Sequence, residues 1–162
     1  MKPHSFIFSE EQKFTQWWIW LILIASYGFP VFTISQSKEF IGKTLMEQIQ
    51  STEIIVLSTI MFAVILLFLV IQLKTNITEE EIRVEFNPFT KKQFLWKDIT
   101  KAEVLDYGFV GGWGIRLFTK YGTAYNIKGS IGLAIELKNG KKYLIGTQKG
   151  DLLKSSIQGL IK

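Results

Sequence analysis

Four lysines interleaved with aromatic residues are the first group in the sequence with the chemistry of a binding site. The group comprises Lys91, Lys92, Phe94, Trp96, Lys97 and Lys101. Bases among aromatic rings can bind single-stranded nucleic acid, and lysines near a bilayer bind anionic lipid headgroups. An ordinary solvated sheet face would carry the same residues. Because membrane-length segments precede the group, anionic phospholipid contacted by Lys91, Lys92, Lys97 and Lys101 fits better than nucleic acid as its ligand, and an ordinary solvated face remains the alternative.

A glycine-rich segment at residues 108–114, GFVGGWG, is followed by Ile115 and Arg116. A phosphate-binding glycine loop needs a following helix whose first amides point at the phosphate, whereas a strand is predicted here. We interpret the segment as a sharp turn or β-bulge. Trp113 then packs into this corner or contacts the membrane surface or a partner. Arg116 lies on the opposite strand face from its apolar neighbours, where it can pair with an acid or bind an anion. Trp113 and Arg116 are therefore the candidate partner contacts.

Residues for catalysis or metal binding are scarce. The chain has no cysteine and one histidine, His4, which excludes thiol catalysis and cysteine-ligated metal sites. Glu79, Glu80 and Glu81 are consecutive, so their carboxylates point in different directions. We interpret them as a linker at the membrane edge. The sequence predicts no catalytic residue, no cofactor, no metal site and no enzymatic activity.

Two uncharged segments are long enough to cross a bilayer. Residues 54–73 have no charge and no polar face, and as a helix they would extend about 30 Å. Residues 17–34 form a second such segment, with Trp17, Trp18 and Trp20 clustered at one end like an aromatic belt. A cleaved signal peptide is the alternative, but no small-x-small cleavage site follows the apolar run. We predict two transmembrane helices.

The remaining N-terminal segments give the expected topology. Residues 1–16 are a polar tail, and residues 35–53 are a connecting loop containing an interfacial helix or an extension of the second span. Two spans place both termini on one side of the membrane. The flanking bases on that side are Lys2, Lys13, Lys74 and Arg83, against Lys38 and Lys43 in the loop. The positive-inside rule therefore predicts cytoplasmic termini.

From residue 77 onward the sequence has the pattern of a small β domain. Apolar and polar residues alternate, and Asn139-Gly140 is a strong two-residue hairpin signal. The predicted strands are residues 82–86, 93–96, 102–107, 115–119, 123–127, 132–138 and 141–146. Apolar residues then recur from Leu152 to Ile161 at helical spacing, with Asp151 near the helix N-terminus. The seven short strands are the pattern of an antiparallel barrel or sandwich. Of the two we expect a seven-stranded antiparallel β-barrel, capped at its open end by the amphipathic C-terminal helix.

Four short motifs resemble a bacterial family with a pleckstrin-homology (PH)-like domain preceded by a two-helix transmembrane hairpin. They are LWKDI (95–99), GGWGIR (111–116), AYNIKG (124–129) and LAIELKNGKKYLIGTQ (133–148). The resemblance covers residues 77–162 and implies the PH superfold, whose order is seven strands and one C-terminal helix. It implies a multi-pass protein of the bacterial inner (cytoplasmic) membrane with a cytoplasmic C-terminal domain. It transfers no enzymatic activity.

The expected function is that of a non-catalytic binding or assembly module at the membrane. Its partner would be a membrane protein complex or further copies of the same chain. A direct anionic-lipid-binding module is one alternative. A small oligomeric transport component is another, in which Tyr27, Ser58 and Thr59 would line the pore. Neither span holds an ionisable residue, which argues against an ion-coupled carrier.

Overall fold

The computed structural model describes residues 6–39 and 41–160. His4 and Ile161 lie outside the described residues. The elements are β1 (Phe8–Lys13), α1 (Trp17–Ser35), α2 (Leu45–Ile49), α3 (Thr52–Val70), β2 (Gln72–Ile77), β3 (Glu81–Asn87), β4 (Thr90–Leu95), a 3₁₀ turn (Trp96–Asp98), β5 (Ile99–Asp106), β6 (Gly114–Thr119), β7 (Gly122–Asn126), β8 (Ile131–Leu137), β9 (Lys142–Gly146) and α4 (Gly150–Ile157). They divide into a helical unit, residues 14–70, and a β unit formed by β1 and the chain from Ile71 onward.

The helical unit contains two helices that are long and apolar enough to cross a membrane, as predicted. Helices α1 and α3 have 19 residues each, with mean hydropathies of 1.7 and 2.8. A hydrogen bond of 2.7 Å between the hydroxyls of Tyr27 and Ser58 joins them. Phe14, in the segment before α1, makes an edge-to-face contact with Phe68 of α3. Helix α3 ends at Val70, whereas the predicted segment continued further, because the next residues pair in a strand.

The loop between α1 and α3 contains the short helix α2. Thr44 and Glu47 form a capping box at its start: the Thr44 amide donates to Glu47 Oε2 at 2.7 Å, and the Glu47 amide donates to Thr44 Oγ1 at 3.4 Å. This reciprocal capping satisfies two helix-end amides. Leu45 and Ile49 on α2 are exposed.

The first sheet has the strand order β1-β2-β3-β4, and all its pairs are antiparallel. The interpretation of residues 1–16 as a tail was wrong, because β1 lies within them and pairs with β2 in a register from Phe8 with Ile77 to Lys13 with Gln72. The helical unit is therefore inserted between two neighbouring strands of one sheet. Likewise, the expected linker between the second span and the first strand is absent from the described chain, since β2 begins two residues after α3 ends.

The second sheet has the order β5-β8-β9-β7-β6, in which β7 runs parallel to β9. The prediction of a seven-stranded closed barrel was wrong: the described residues form nine strands in two sheets. Each sheet ends in strands that have one neighbour, β1 and β4 in the first and β5 and β6 in the second. The barrel does not close because the β6–β7 hairpin adds to the outside of β9, and β5 and β4 are not paired.

The core of the β unit is apolar and drawn from both sheets. Its most deeply buried side chains are Leu73, Ile77, Ile82, Ile127, Leu133, Leu144 and Ile145, together with Leu153 and Ile157 of α4. Helix α4 is the expected C-terminal helix, with Asp151 in its first turn. Leu152, which was expected on its buried face, is 55% exposed.

Candidate functional site

The structure divides the four candidate lysines into two pairs. Lys91 and Lys92 are neighbours on β4, and their side chains leave opposite faces of that strand. Lys97 lies in the 3₁₀ turn that follows the last strand of the first sheet, and Lys101 lies on β5, the first strand of the second sheet. The single basic run of the sequence is therefore not a single surface.

Two of the four lysines are already paired with carboxylates. Lys91 Nζ lies 3.4 Å from Glu85, its register partner on β3, and Lys101 Nζ lies 3.1 Å from Glu103. Both pairs are exposed and contribute little to stability, but they reduce the positive charge that the lysines present. Lys92 and Lys97 have no carboxylate of the described residues within ion-pair distance.

Lys97 and Lys101 share a cleft of about 350 Å³. It is lined by Glu79, Trp96, Lys97, Ile99, Thr100, Lys101, Ala102, Gly159 and Leu160. Trp96 fixes its wall, because the indole Nε1 donates to the carbonyl of Thr78 at 2.9 Å and the Trp96 amide donates to the carbonyl of Glu80 at 3.0 Å. The cleft therefore combines two bases, the Glu79 side chain, an indole and apolar side chains. This chemistry suits a peptide segment with an acidic and an apolar group.

The interpretation of Glu79, Glu80 and Glu81 as a membrane-edge linker was wrong. These residues form the turn between β2 and β3, and Glu81 begins β3. Glu81 is 8% exposed. Its carboxylate forms an ion pair with Arg83 and accepts a hydrogen bond from Gln93 Nε2. The Glu81 carboxylate is thus held by its own sheet, while Glu79 faces the cleft.

The glycine-rich segment forms a turn before β6. Gly112 has a φ of +124°, and a Cβ at this position would collide with the guanidinium of Arg116. Asn126 Nδ2 holds the turn by donating to the Gly112 carbonyl at 3.2 Å. It also donates to Tyr107 Oη at 3.3 Å. Trp113 is 40% exposed. Trp113, in the turn, and Arg116, on β6, are both exposed.

Tyr107 anchors the inner side of this turn. Its side chain is 3% exposed, and Tyr107 Oη donates to the Gly129 carbonyl at 3.0 Å. Burial raises the pKa of Tyr107 above its ordinary value, and the hydrogen bond from Asn126 partly opposes that effect. The neutral phenol is the form that the fold stabilises.

A β-bulge was missed by the sequence analysis and lies inside β6. Arg116 pairs with Ala124 and Thr119 with Gly122, so Leu117 and Phe118 together oppose Thr123. Leu117 is 60% exposed and Phe118 98% exposed, and Phe118 has a φ of +59°. The signal was available: two consecutive apolar residues break the alternation of a strand that is exposed on one face.

A polar connection between the two sheets was also missed. Glu10 Oε2 accepts from Thr147 Oγ1 at 2.5 Å, and Glu10 Oε1 accepts from the Gln148 amide at 2.9 Å. Gln12 Nε2 donates to the Gly146 carbonyl at 2.8 Å. These contacts connect the buried face of β1 to the segment between β9 and α4. No hydrophobic alternation marks them, because the inward residues of β1 include Glu10 and Gln12.

The hydroxyl groups of Tyr27, Ser58 and Thr59 are hydrogen-bonded within the helical unit. Tyr27 and Ser58 bond each other, and the Thr59 hydroxyl donates to the Ile55 carbonyl of its own helix at 2.8 Å. All three residues proposed as a pore lining thus have partners inside the helix pair.

Within the described residues, no group of three or more histidine, cysteine, aspartate or glutamate side chains is arranged to hold a metal ion. Comparisons with protein-family models, with curated proteins and with solved structures found no match to this chain. The candidate site therefore rests on the chain's own residues: the cleft of Lys97 and Lys101, the turn of Trp113, and the bulge of β6.

Proposed function

We propose that this chain is a membrane-anchored, non-catalytic binding and assembly module with a PH-like domain. The observation that carries the proposal is the insertion of the helical unit between β1 and β2. Three residues separate β1 from α1, and Ile71 alone separates α3 from β2. If α1 and α3 span a bilayer, the β unit is attached to it by two short connections and is held at high effective concentration near other membrane proteins.

The number of strands supports the PH-like part of the proposal. When the β6–β7 hairpin is set aside, seven strands remain, followed by the C-terminal helix α4. Seven strands and one C-terminal helix are the number that the resemblance implies. These seven include β1, however, and leave out the hairpin at which two of the resembling motifs, GGWGIR and AYNIKG, fall. Two features depart from the order that the resemblance implies: the helical pair follows the first strand and does not precede the whole domain, and the β6–β7 hairpin is an addition that joins β9 in parallel.

The proposed partner is a membrane protein complex, and the proposed contact is the cleft of Lys97 and Lys101. The edge strand β5 borders this cleft, so a partner segment could pair with the free edge of β5 while its side chains enter the cleft. Trp113 and Arg116 are a second proposed contact. We place the protein in the bacterial inner membrane with the β unit in the cytoplasm, in accordance with the flanking bases.

Direct binding of anionic lipid by the four lysines is the alternative function. The ion pairs of Lys91 with Glu85 and of Lys101 with Glu103 weaken it, since they neutralise half of the set. Lys92 and Lys97 support lipid binding, because neither is within ion-pair distance of a carboxylate among the described residues.

The test is affinity capture of the tagged, full-length protein from native membranes, followed by mass spectrometry. Lys97→Glu with Lys101→Glu should remove the partner from the captured material, because the cleft changes sign. Lys91→Glu with Lys92→Glu makes the same total change of charge on another surface and is the matched control. Equal capture by both variants would contradict the cleft as the contact. Turnover of any compound in a substrate screen would overturn the non-catalytic assignment.

Hydrogen exchange separates the partner hypothesis from the lipid hypothesis. The full-length protein is placed in nanodiscs of phosphatidylcholine with or without phosphatidylglycerol. Lipid binding by the lysines would slow exchange of the amides from β4 to β5 in the anionic discs. If the lysines bind a protein partner and not lipid, the exchange rates of these amides should be the same in both kinds of disc.

A further inference from the structure

The bulge of β6 is the most exposed apolar feature of the β unit that the proposed function leaves unused. Phe118 is almost completely exposed, and Leu117 beside it is exposed by more than half. An exposed phenylalanine whose backbone also lies in the left-handed region, at a φ of +59°, is unusual. Strained and exposed apolar residues of this kind mark contact surfaces more often than ordinary surface positions do.

The hairpin holds the bulge in a defined place. Thr119 Oγ1 donates to the Gly122 carbonyl at 2.8 Å and accepts from the Tyr121 amide at 3.1 Å, which fixes the turn after the bulge. On β7, Ala124 and Tyr125 are buried, and Gly122 lies so close to the backbone of Lys142 on β9 that a Cβ would not fit. The apolar tip is therefore carried by a hairpin packed into the second sheet.

The charge around the bulge indicates which surface it contacts. From residue 107 to residue 135 the sequence contains three bases, Arg116, Lys120 and Lys128, and no acid. Lys128 lies beyond the end of β7 that is far from the bulge. Lys120 lines a cleft with Glu103 and Glu136, but these carboxylates pair with Lys101 at 3.1 Å and with Lys142 at 3.4 Å. All three bases of residues 107–135 are exposed, and none lies within ion-pair distance of a carboxylate among the described residues. An apolar tip with bases around it is the composition of an element that lies in the headgroup layer of an anionic membrane.

We propose that Leu117 and Phe118 insert into the headgroup layer of an anionic bilayer, and that Lys120 contacts the lipid phosphates. The proposal rests on the membrane anchoring of the proposed function, because the short connections of β1 and β2 to the helices keep the β unit within reach of lipid. A second copy of the chain is a poorer occupant, since two surfaces of the same positive charge repel each other and the bulge disrupts edge-to-edge pairing of β6.

The absence of cysteine from the chain allows a single label to report on the bulge. Leu117→Cys carries an environment-sensitive fluorophore and leaves Phe118 in place. Lys138→Cys, at the exposed tip of the β8–β9 hairpin, is the matched control. Both labelled proteins, at full length, are reconstituted in nanodiscs of phosphatidylcholine with or without phosphatidylglycerol. Quenching is measured with nitroxide-labelled lipid and with soluble iodide.

The expected result is lipid quenching and a blue shift for the label at 117, at a depth of about 5–10 Å, together with protection from iodide. The label at 138 should show the opposite. The insertion equilibrium should weaken roughly fivefold in anionic discs when one base is removed in Lys120→Gln. It should change less in Lys128→Gln, because Lys128 lies beyond the far end of β7. Phe118→Asn in the labelled background should abolish lipid quenching, and Asn tolerates the left-handed backbone, so the hairpin keeps its fold.

Equal iodide quenching at 117 and 138 would overturn the proposal. Protection of the label at 117 from both quenchers would also overturn it, because protein would then cover the bulge. Unchanged lipid quenching in Phe118→Asn would mean that the fluorophore inserts by itself, and would equally reject the proposal. Failure of the proposed function would be seen in two experiments that do not use the label. The protein would be extracted from membranes at alkaline pH, or the variant with Lys97→Glu and Lys101→Glu would still capture every partner.

Discussion

Glu10 and Thr147 are 137 positions apart in the chain, yet Glu10 Oε2 accepts a hydrogen bond of 2.5 Å from Thr147 Oγ1. Both residues are buried, at 4% and 2% exposure. The bond connects the strand before the first long helix to the segment before the last helix. It shows that the N-terminal strand is part of the β unit and not a leader to the helices.

Removing this connection should destabilise the β unit. Glu10→Ala leaves the Thr147 hydroxyl and the Gln148 amide without their acceptor, which should cost about 1–3 kcal/mol of unfolding free energy. Hydrogen exchange of the β1 amides in detergent or nanodiscs is the measurement, because β1 has only β2 as a strand neighbour. Glu11→Ala is the control, since Glu11 is exposed and contacts only Lys13 at 3.3 Å among the ion pairs. Equal exchange in both variants would refute the connection.

The hydroxyl pair of Tyr27 and Ser58 should stabilise association of the two long helices. Loss of the bond in Tyr27→Phe or Ser58→Ala should cost about 0.6 kcal/mol, the average for interhelical hydrogen bonds in membranes, and at most about 1.7 kcal/mol. A double-mutant cycle in detergent unfolding measures the coupling. Ser26→Ala is the control, because that hydroxyl donates to the Leu23 carbonyl of its own helix. Additive effects of the two substitutions would rule out a direct bond.

Phe118→Asn should make the isolated protein more stable. A bulky residue in the left-handed region costs about 1–2 kcal/mol, and asparagine tolerates that conformation, so we expect a gain of up to about 1 kcal/mol. Phe109→Asn is the control, because Phe109 is 78% exposed and is not among the described residues with positive φ. Chemical unfolding in detergent, away from lipid, is the measurement. A loss of stability in Phe118→Asn would show that the ring makes a favourable contact.

Tyr107 should make the fold sensitive to alkaline pH. Burial raises its pKa in the folded state above the ordinary value of 10.0, so the unfolded chain ionises first as the pH increases. The stabilisation is therefore complete below about pH 10 and is lost as the pH rises through the folded-state pKa. Burial also raises the pKa of Tyr125, which adds to the same slope.

Thermal unfolding between neutral and alkaline pH measures this effect. Tyr107→Phe should flatten the alkaline decline while costing about 1 kcal/mol at neutral pH for the lost bond to the Gly129 carbonyl. Tyr121→Phe, at a half-buried position, controls for the general removal of a tyrosine. A decline of unchanged steepness in Tyr107→Phe would exclude this phenol as its cause.

Several local features follow from residue types alone. The two long helices follow from uncharged segments of membrane length, because nothing in such a segment favours water. The Asn139-Gly140 turn joins β8 to β9, with Gly140 at a φ of +78°, since glycine adopts that backbone without a Cβ penalty. Helix α4 is predicted by the i, i+4 spacing of Leu153 and Ile157, which places both on one helix face. Both side chains are buried.

The remaining features depend on contacts between distant residues. Strand β1 has a polar buried face whose partners, Thr147 and Gln148, lie at the other end of the chain, so no local pattern could reveal it. The parallel pairing of β7 with β9 adds the β6–β7 hairpin to the edge of the second sheet. No local pattern could reveal this pairing either, because it joins strands that are not neighbours in the sequence. The lysines of one basic run divide between two surfaces because the chain leaves one sheet and enters the next between Leu95 and Ile99. Helices and turns are encoded by neighbours along the chain, whereas sheet order and the composition of a binding surface are set by hydrogen bonds and packing that form only on folding.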